Sequence, residues 1–119
     1  MDPLKVTMSS ITIPSAQALP LDTLIAGSPH AIASRVLVKN GGGSATLFAF
    51  AAGESLAEHA SPFDALAVVL EGSITITVGG VPAEAAAGTV VLMPATVPHA
   101  LDATAASRML LVMLRAPAV

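Results

Sequence analysis

The sequence lacks cysteine, tryptophan and tyrosine, and its phenylalanines number only three. The absence of cysteine excludes disulfides, thiolate metal sites and cysteine nucleophiles, and it fits a reducing compartment. With so few aromatic side chains, the chain has no platform on which nucleic-acid bases could stack. Imidazole, carboxylate, hydroxyl and amine groups therefore remain as the candidates for any chemistry.

Charge is also scarce. Only 11% of the residues are charged, and five Lys and Arg stand against eight Asp and Glu, for a net charge of −3. An average soluble domain has about 25% charged residues. The five basic residues are spread along the chain and form no stripe that could neutralise phosphates, so we do not expect nucleic acid as a partner.

No segment has the length and composition of a membrane span. The longest uncharged stretch, residues 85–101, contains Gly88, Pro94 and Pro98 and falls short of the ~20 apolar residues that a spanning helix needs. The start of the chain has no basic region followed by an apolar core and a cleavage site. We therefore expect no membrane partner and a cytoplasmic location.

Although charge is scarce, apolar residues are abundant, at 54% of 119 residues. A domain of this size has a high ratio of surface to volume, so some of this apolar surface cannot be buried within one copy. A symmetric pair is the commonest way to cover it. The composition therefore predicts a homodimer.

The chain divides into two parts. Residues 1–31 contain four prolines and no sustained period, which predicts an extended N-terminal arm rather than a helix. Residues 32–116 read as one β-domain. Its clearest strand is 73–78, where Ile74, Ile76 and Val78 alternate with Ser and Thr, a period that only a strand satisfies. The predicted strands cover residues 34–40, 44–51, 64–70, 73–78, 81–86, 89–93, 99–103 and 107–114.

Two blocks within this β-domain have a regular spacing of glycine, proline and histidine: the first contains Gly53, His59 and Gly72, and the second contains Gly88, Pro94 and His99. The spacing resembles the two signature motifs of the cupin superfamily. The resemblance covers roughly residues 32–116. In detail, the sequence is similar to the small single-domain, RmlC-like cupins. It implies an all-β jelly-roll barrel, or double-stranded β-helix, with a pocket lined by the two motif strands.

Other motif positions are replaced. The family pattern has a second histidine, a glutamate, a glycine and an asparagine where this sequence has, in that order, Ser61, Ala65, Thr96 and Ala103. The resemblance therefore implies two metal ligands, His59 and His99, for a divalent transition metal such as Zn, Fe, Mn or Ni. Metal sites commonly use three or four protein donors, so we expect weak or sub-stoichiometric binding. The alternative is a pair of histidines held by hydrogen bonds without any metal.

Three more side chains are candidates for the missing donor. Asp64 and Glu58 adjoin the first motif, but alternation along a strand puts Asp64 opposite in direction to Ala65, and Glu58 opposite to His59, unless a bulge intervenes. His30 would have to fold back over the barrel mouth. We therefore expect all three to lie at the surface or at an interface.

Two functions remain open. In the first, the protein is a binding module whose apolar pocket holds a small apolar or weakly acidic molecule, with the two histidines as polar anchors. In the second, it is a metal-dependent oxygenase, isomerase or decarboxylase, as the resemblance also implies. No nucleophile elbow or phosphate-binding glycine loop offers another mechanism. The predicted pocket residues are His59, His99, Ser61, Ala65 and Met93.

Overall fold

Two antiparallel sheets face each other in the computed structural model, which describes residues 12–115. One sheet has the strand order β1-β2-β9-β4-β7 and the other β3-β8-β5-β6. From β3 onward the chain passes repeatedly between the two sheets, which is the jelly-roll arrangement predicted from the sequence. The elements are α1 (Leu21–Leu24), β1 (Ile32–Asn40), β2 (Gly43–Phe50), β3 (Ser55–His59), β4 (Phe63–Glu71), β5 (Ser73–Val78), β6 (Val81–Ala86), β7 (Val90–Met93), β8 (His99–Ala103) and β9 (Ser107–Arg115).

The main core lies between the inner faces of the two sheets. Alternation along each strand sends every second side chain inward, as in β5, where Ile74 and Ile76 are fully buried between half-buried threonines. β4 contributes Ala65, Ala67 and Val69 in the same way. The remaining buried members of this core are Phe50, Ala85, Met93, Leu101, Ala103 and Met109.

A second, smaller core lies on the outer face of the five-stranded sheet. Ile25 from the arm packs there with Leu37, Leu47 and Ala49. The described part of the arm thus covers the chain's own sheet, and it includes one turn of helix, α1, which the proline pattern did not predict. Residues 1–11 of the predicted arm lie outside the described residues.

The eight predicted strands are all present, with boundaries shifted by one or two residues at some ends. The ninth, β3, was missed. Its residues Leu56 and His59 are three apart, which breaks a period of two, and the structure accommodates this spacing with a β-bulge. Leu56 pairs with Leu101 and His59 pairs with His99, so three steps on β3 match two steps on β8.

Within the described residues, no helix is long and apolar enough to cross a membrane.

Candidate functional site

His59 and His99 lie side by side at one end of the four-stranded sheet. His99 begins β8 and is only 5% exposed, whereas His59 ends β3 and is exposed. The ring centroids are 4.4 Å apart at an interplanar angle of 68°. Nε2 of one ring is 3.2 Å from Nε2 of the other. The bulge in β3 permits this meeting, because it keeps Leu56 in register with Leu101 and His59 in register with His99.

The backbone determines which nitrogen of each ring carries the proton when the ring is neutral. Nδ1 of His59 lies 2.8 Å from the carbonyl oxygen of Ala57, and Nδ1 of His99 lies 3.2 Å from that of Val97. A carbonyl oxygen only accepts hydrogen bonds, so each Nδ1 is the donor in the tautomer that makes both of these bonds. Each Nε2 is then left with a lone pair, and the two lone pairs point at the same small volume.

In this tautomer the two lone pairs, 3.2 Å apart, repel each other unless a positively charged species lies between them. In the other tautomer of one ring, its Nε2–H would donate to the second Nε2, and its Nδ1 would then turn a lone pair toward the carbonyl oxygen. A shared proton would satisfy both nitrogens, and so would a metal ion. Zinc–imidazole bonds are about 2.0–2.1 Å long, so one ion can contact both nitrogens when they are less than ~4 Å apart. The pair meets this condition. The backbone hydrogen bonds on Nδ1 are also what usually orients a metal-binding histidine.

The other predicted pocket residues contribute no donor to the pair. Ser61 precedes β4, and its hydroxyl is engaged with the backbone N–H and carbonyl of Phe63 at 3.3 and 3.4 Å. Ala65 and Met93 are register partners on the inner face of the opposite sheet, and both are buried in the main core. The structure therefore places a methyl group and a thioether on the sheet that faces the histidines.

The three alternative donors lie elsewhere. The carboxylate of Asp64 accepts a hydrogen bond of 2.8 Å from the backbone N–H of Ala95, so it fixes the turn before β8. Glu58 is exposed. His30 is exposed just before β1, whose first residue, Ile32, pairs with Phe50 at the opposite end of the sheet from the histidine pair. Across residues 12–115, no cluster of three or more His, Asp or Glu side chains could hold a metal ion.

The turn between β7 and β8 contains a strained residue that the sequence reading did not identify as functionally relevant. Thr96 has φ of 68°, and within the described chain only Ala16 shares a positive φ among non-glycine residues. β-Branched residues rarely adopt this conformation. Thr96 donates a backbone hydrogen bond of 2.8 Å to the carbonyl of Ser61, which ties together the two loops that follow His59 and precede His99. The sequence did carry a signal for this strain, because Thr96 occupies a motif position that is glycine in the family pattern.

Three surface cavities have volumes of about 460, 350 and 400 Å³, and neither histidine lines any of them. Since His59 is exposed and His99 is buried, a ligand would reach the pair from the side of His59.

The nine strands of residues 12–115 form a jelly roll with paired histidines at one end, which places the protein among the small jelly-roll β-barrels. The cupin domain family model matches residues 46–114, more than half of the chain, and the protein therefore belongs to the cupin domain family. No protein of curated function matches the sequence.

Solved structures agree with this membership. A conserved protein of unknown function from Streptococcus pyogenes is 34% identical, with 90% of this chain and 94% of that chain covered and a TM-score of 0.83. A cupin superfamily protein from Desulfitobacterium hafniense is 28% identical, with 88% and 96% covered and a TM-score of 0.81. A cupin 2 conserved barrel domain protein from Leptotrichia buccalis is 33% identical over 80% of this chain and 46% of that chain, with a TM-score of 0.76.

Proposed function

We propose that the protein is a small-molecule-binding cupin in which His59 and His99 form a two-donor site for a divalent transition metal. The observation that carries the proposal is the approach of the two Nε2 atoms to 3.2 Å, while each Nδ1 is held by a backbone carbonyl. The site is preorganised, because the backbone and not the ion sets the ring orientations. A cation between the two Nε2 atoms would make this arrangement of the rings favourable.

Two imidazoles hold such an ion weakly. A closed zinc site has four protein ligands, and a catalytic site has three. Ser61 and Ala65 supply neither the third imidazole nor the carboxylate that would offset the charge of a divalent ion. Exchangeable water or a ligand group would complete the coordination. We expect Zn, Fe, Mn or Ni to bind with an affinity well below the ~10–16 kcal/mol of structural zinc sites.

The ligand is a small apolar or weakly acidic molecule. An acidic group suits the site, since it can accept a hydrogen bond from a protonated imidazole or complete the shell of a bound ion. The residues of the opposite sheet nearest in the fold, Ala65, Met93 and the half-buried Met113, belong to or pack against the main core and are apolar. The polar contacts of such a ligand would therefore concentrate on the two histidines.

The alternative is a metal-dependent enzyme acting on the same class of molecule, as an oxygenase, isomerase or decarboxylase. The exposure of His59 favours it, because a catalytic metal needs positions open to substrate. When bound, a divalent ion would polarise a substrate oxygen. His59 and His99 would hold the ion, and their carbonyl partners would keep both rings in the required tautomer.

Isothermal titration of the purified, chelator-treated chain with Zn²⁺ and Ni²⁺ tests the metal site. We expect one weak site per chain, and we expect His59→Gln and His99→Gln each to abolish it, since a single imidazole remains. His30→Gln is the matched control, because His30 is the only other histidine and is exposed far from the pair. Binding that survives His59→Gln, or that disappears in His30→Gln, would refute the assignment.

The proposal also includes a homodimer, supported by the apolar excess of the sequence, and a cytoplasmic location, supported by its lack of cysteine.

A further inference from the structure

The outer faces of the two sheets differ in character. On the four-stranded sheet, a row in register across all strands consists of Ser55, Asp102, Thr75 and Glu84. Its members bond to one another, as where the Thr75 hydroxyl lies 3.0 Å from both Glu84 carboxylate oxygens. This is the polar outer face expected of a solvated sandwich.

The outer face of the five-stranded sheet is apolar instead. A row in register across all five strands consists of Leu92, Leu66, Val112, Ala45 and Val38. The neighbouring row contributes Val90 and Val68 before it passes under the arm at Leu110 and Leu47. Neither row contains a charged side chain outside the part that the arm covers.

The arm covers only one part of this face. Ile25 and its neighbours cover Leu47 and Ala49, which are 1% and 2% exposed. On the uncovered part, Leu92 is 56% exposed, Val90 58% and Leu114 52%. We call this uncovered part the apolar face; it comprises Val38, Ala45, Leu66, Val68, Val90, Leu92, Val112 and Leu114.

A depression adjoins the apolar face. The 350 Å³ cavity is lined there by Val38, Ala45, Val112 and Leu114, among others, and includes Gly43. A Cβ on Gly43 would collide with the carbonyl oxygen of Met113, so this position is restricted to glycine. The face therefore offers both protruding leucines and a recess that can receive an apolar side chain.

We propose that the apolar face is the surface through which two copies of this chain pair about a twofold axis. The inference rests on the homodimer proposed above and adds which surface forms the interface. Within residues 12–115, the one charged side chain in register with the face, Asp64 beside Leu114, is half-buried and accepts a hydrogen bond from Ala95 within the same copy. The face therefore makes no demand for a partner of opposite charge, and an isologous pair would place leucines of each copy against the recess of the other.

The dimensions of the face bear on a second copy as the occupant. Strands ~4.8 Å apart and rows of side chains ~7 Å apart assign about 34 Å² to each position, so the eight residues give a flat footprint on the order of 270 Å² per copy. Val38, Val90, Leu92 and Leu114 protrude, at 46–58% exposed, and this relief enlarges the accessible area. Two such faces, together with the rim around them, would supply the ~1,000 Å² at which specific interfaces begin.

Light scattering with size exclusion over a range of concentrations tests this inference with the full chain. We expect the wild type to be dimeric at about micromolar concentration, and Leu92→Lys and Leu114→Lys each to weaken dimerisation by about 100-fold or more, since each introduces two charges into a dry interface. Val81→Lys is the matched control, because Val81 is 68% exposed but lies on the other sheet.

The outcomes separate the two proposals. A wild type that stays monomeric at ~100 μM refutes both the homodimer and its location. If the wild type is a dimer that resists both Leu92→Lys and Leu114→Lys, or that dissociates in Val81→Lys, the homodimer stands. The assignment of its interface to the apolar face is then refuted.

Because the chain has no cysteine, single substitutions also give unique spin-label positions if a lysine variant misfolds. A label at Leu92→Cys should show a shorter distance between copies than one at Val81→Cys, and the reverse order would refute the face.

Discussion

At the scale of single residues, the histidine pair shows how the backbone can set side-chain chemistry. The carbonyls of Ala57 and Val97 are each two residues before the histidine that they hold. Each ring is therefore oriented by its own loop and needs no carboxylate behind it. This matters because the nearest acidic residues are used elsewhere or exposed: Asp64 holds the backbone of Ala95, and Glu58 faces solvent.

The same scale explains what the sequence could and could not predict about the site. The spacing of glycine, proline and histidine predicted that His59 and His99 would meet, because those residues define turns and strand ends. The orientation of the rings depends on carbonyl groups, which every residue has, so no sequence signal marks it. Ser61 and Ala65 were recognisable as lost donors, yet the bond from the Ser61 hydroxyl to the Phe63 backbone was not.

Thr96 gives a prediction about stability. Its positive φ stores strain of about 1–3 kcal/mol, and glycine would release it at an entropic cost of about 0.5–1 kcal/mol. We expect Thr96→Gly to stabilise the protein by about 1 kcal/mol, seen as a rise of roughly 3–6 °C in Tm by calorimetry.

The adjacent Ala95 provides the control for Thr96, since it is not among the residues with positive φ. Ala95→Gly keeps the backbone N–H that donates a hydrogen bond to Asp64. It should lower the Tm, because glycine adds backbone entropy to the unfolded state without relieving strain in the folded one. Equal losses of stability in both variants would show that Thr96 is not strained.

At the scale of elements, β3 and the arm depart most from the sequence-based expectation. Strands such as β5 were predictable because one face is buried and the alternation is regular. β3 is an edge strand with mostly exposed residues, and its bulge shifts the period within five residues. Only the pairing with β8 makes it a strand, and pairing is not visible in a local pattern.

The arm depends on contacts with the sheet. Its helix α1 is four residues long and has no side-chain cap, so it would not persist alone. Two arginines of the sheet hold its backbone: Arg35 donates to the carbonyl of Leu24 at 3.0 Å, and Arg108 donates to that of Asp22 at 3.1 Å. The arm is therefore stabilised by both apolar burial and fixed hydrogen bonds.

This docking predicts the effect of shortening one arm residue. Ile25 is 7% exposed within the second core, so Ile25→Ala should cost about 2 kcal/mol in the free energy of unfolding, measured in urea. Leu21→Ala, at a position 46% exposed on the same arm, should cost less than about 0.5 kcal/mol. If the two variants are equally stable, the arm is not docked in solution.

At the scale of the whole molecule, the composition and the fold explain each other. A sandwich with one polar and one apolar outer face needs few charged residues, which accounts for the 11% found in the sequence. The composition predicted an apolar excess but could not locate it on the molecule. The alternation along a strand separates two faces, but it does not tell which outer face remains uncovered after packing. The cupin fold was predictable because turn residues mark every corner, whereas the covering of each sheet depends on packing between distant segments.

The central claim is that both Nε2 lone pairs converge, and nitrogen NMR tests it directly. Long-range proton–nitrogen spectra of the imidazoles report the tautomer of each ring, and the chain has only three histidines to assign. Under alkaline conditions, we predict that His59 and His99 both carry their proton on Nδ1, and that added Zn²⁺ shifts the Nε2 signals of these two rings and leaves His30 unchanged. A proton on Nε2 of either His59 or His99 would contradict the account.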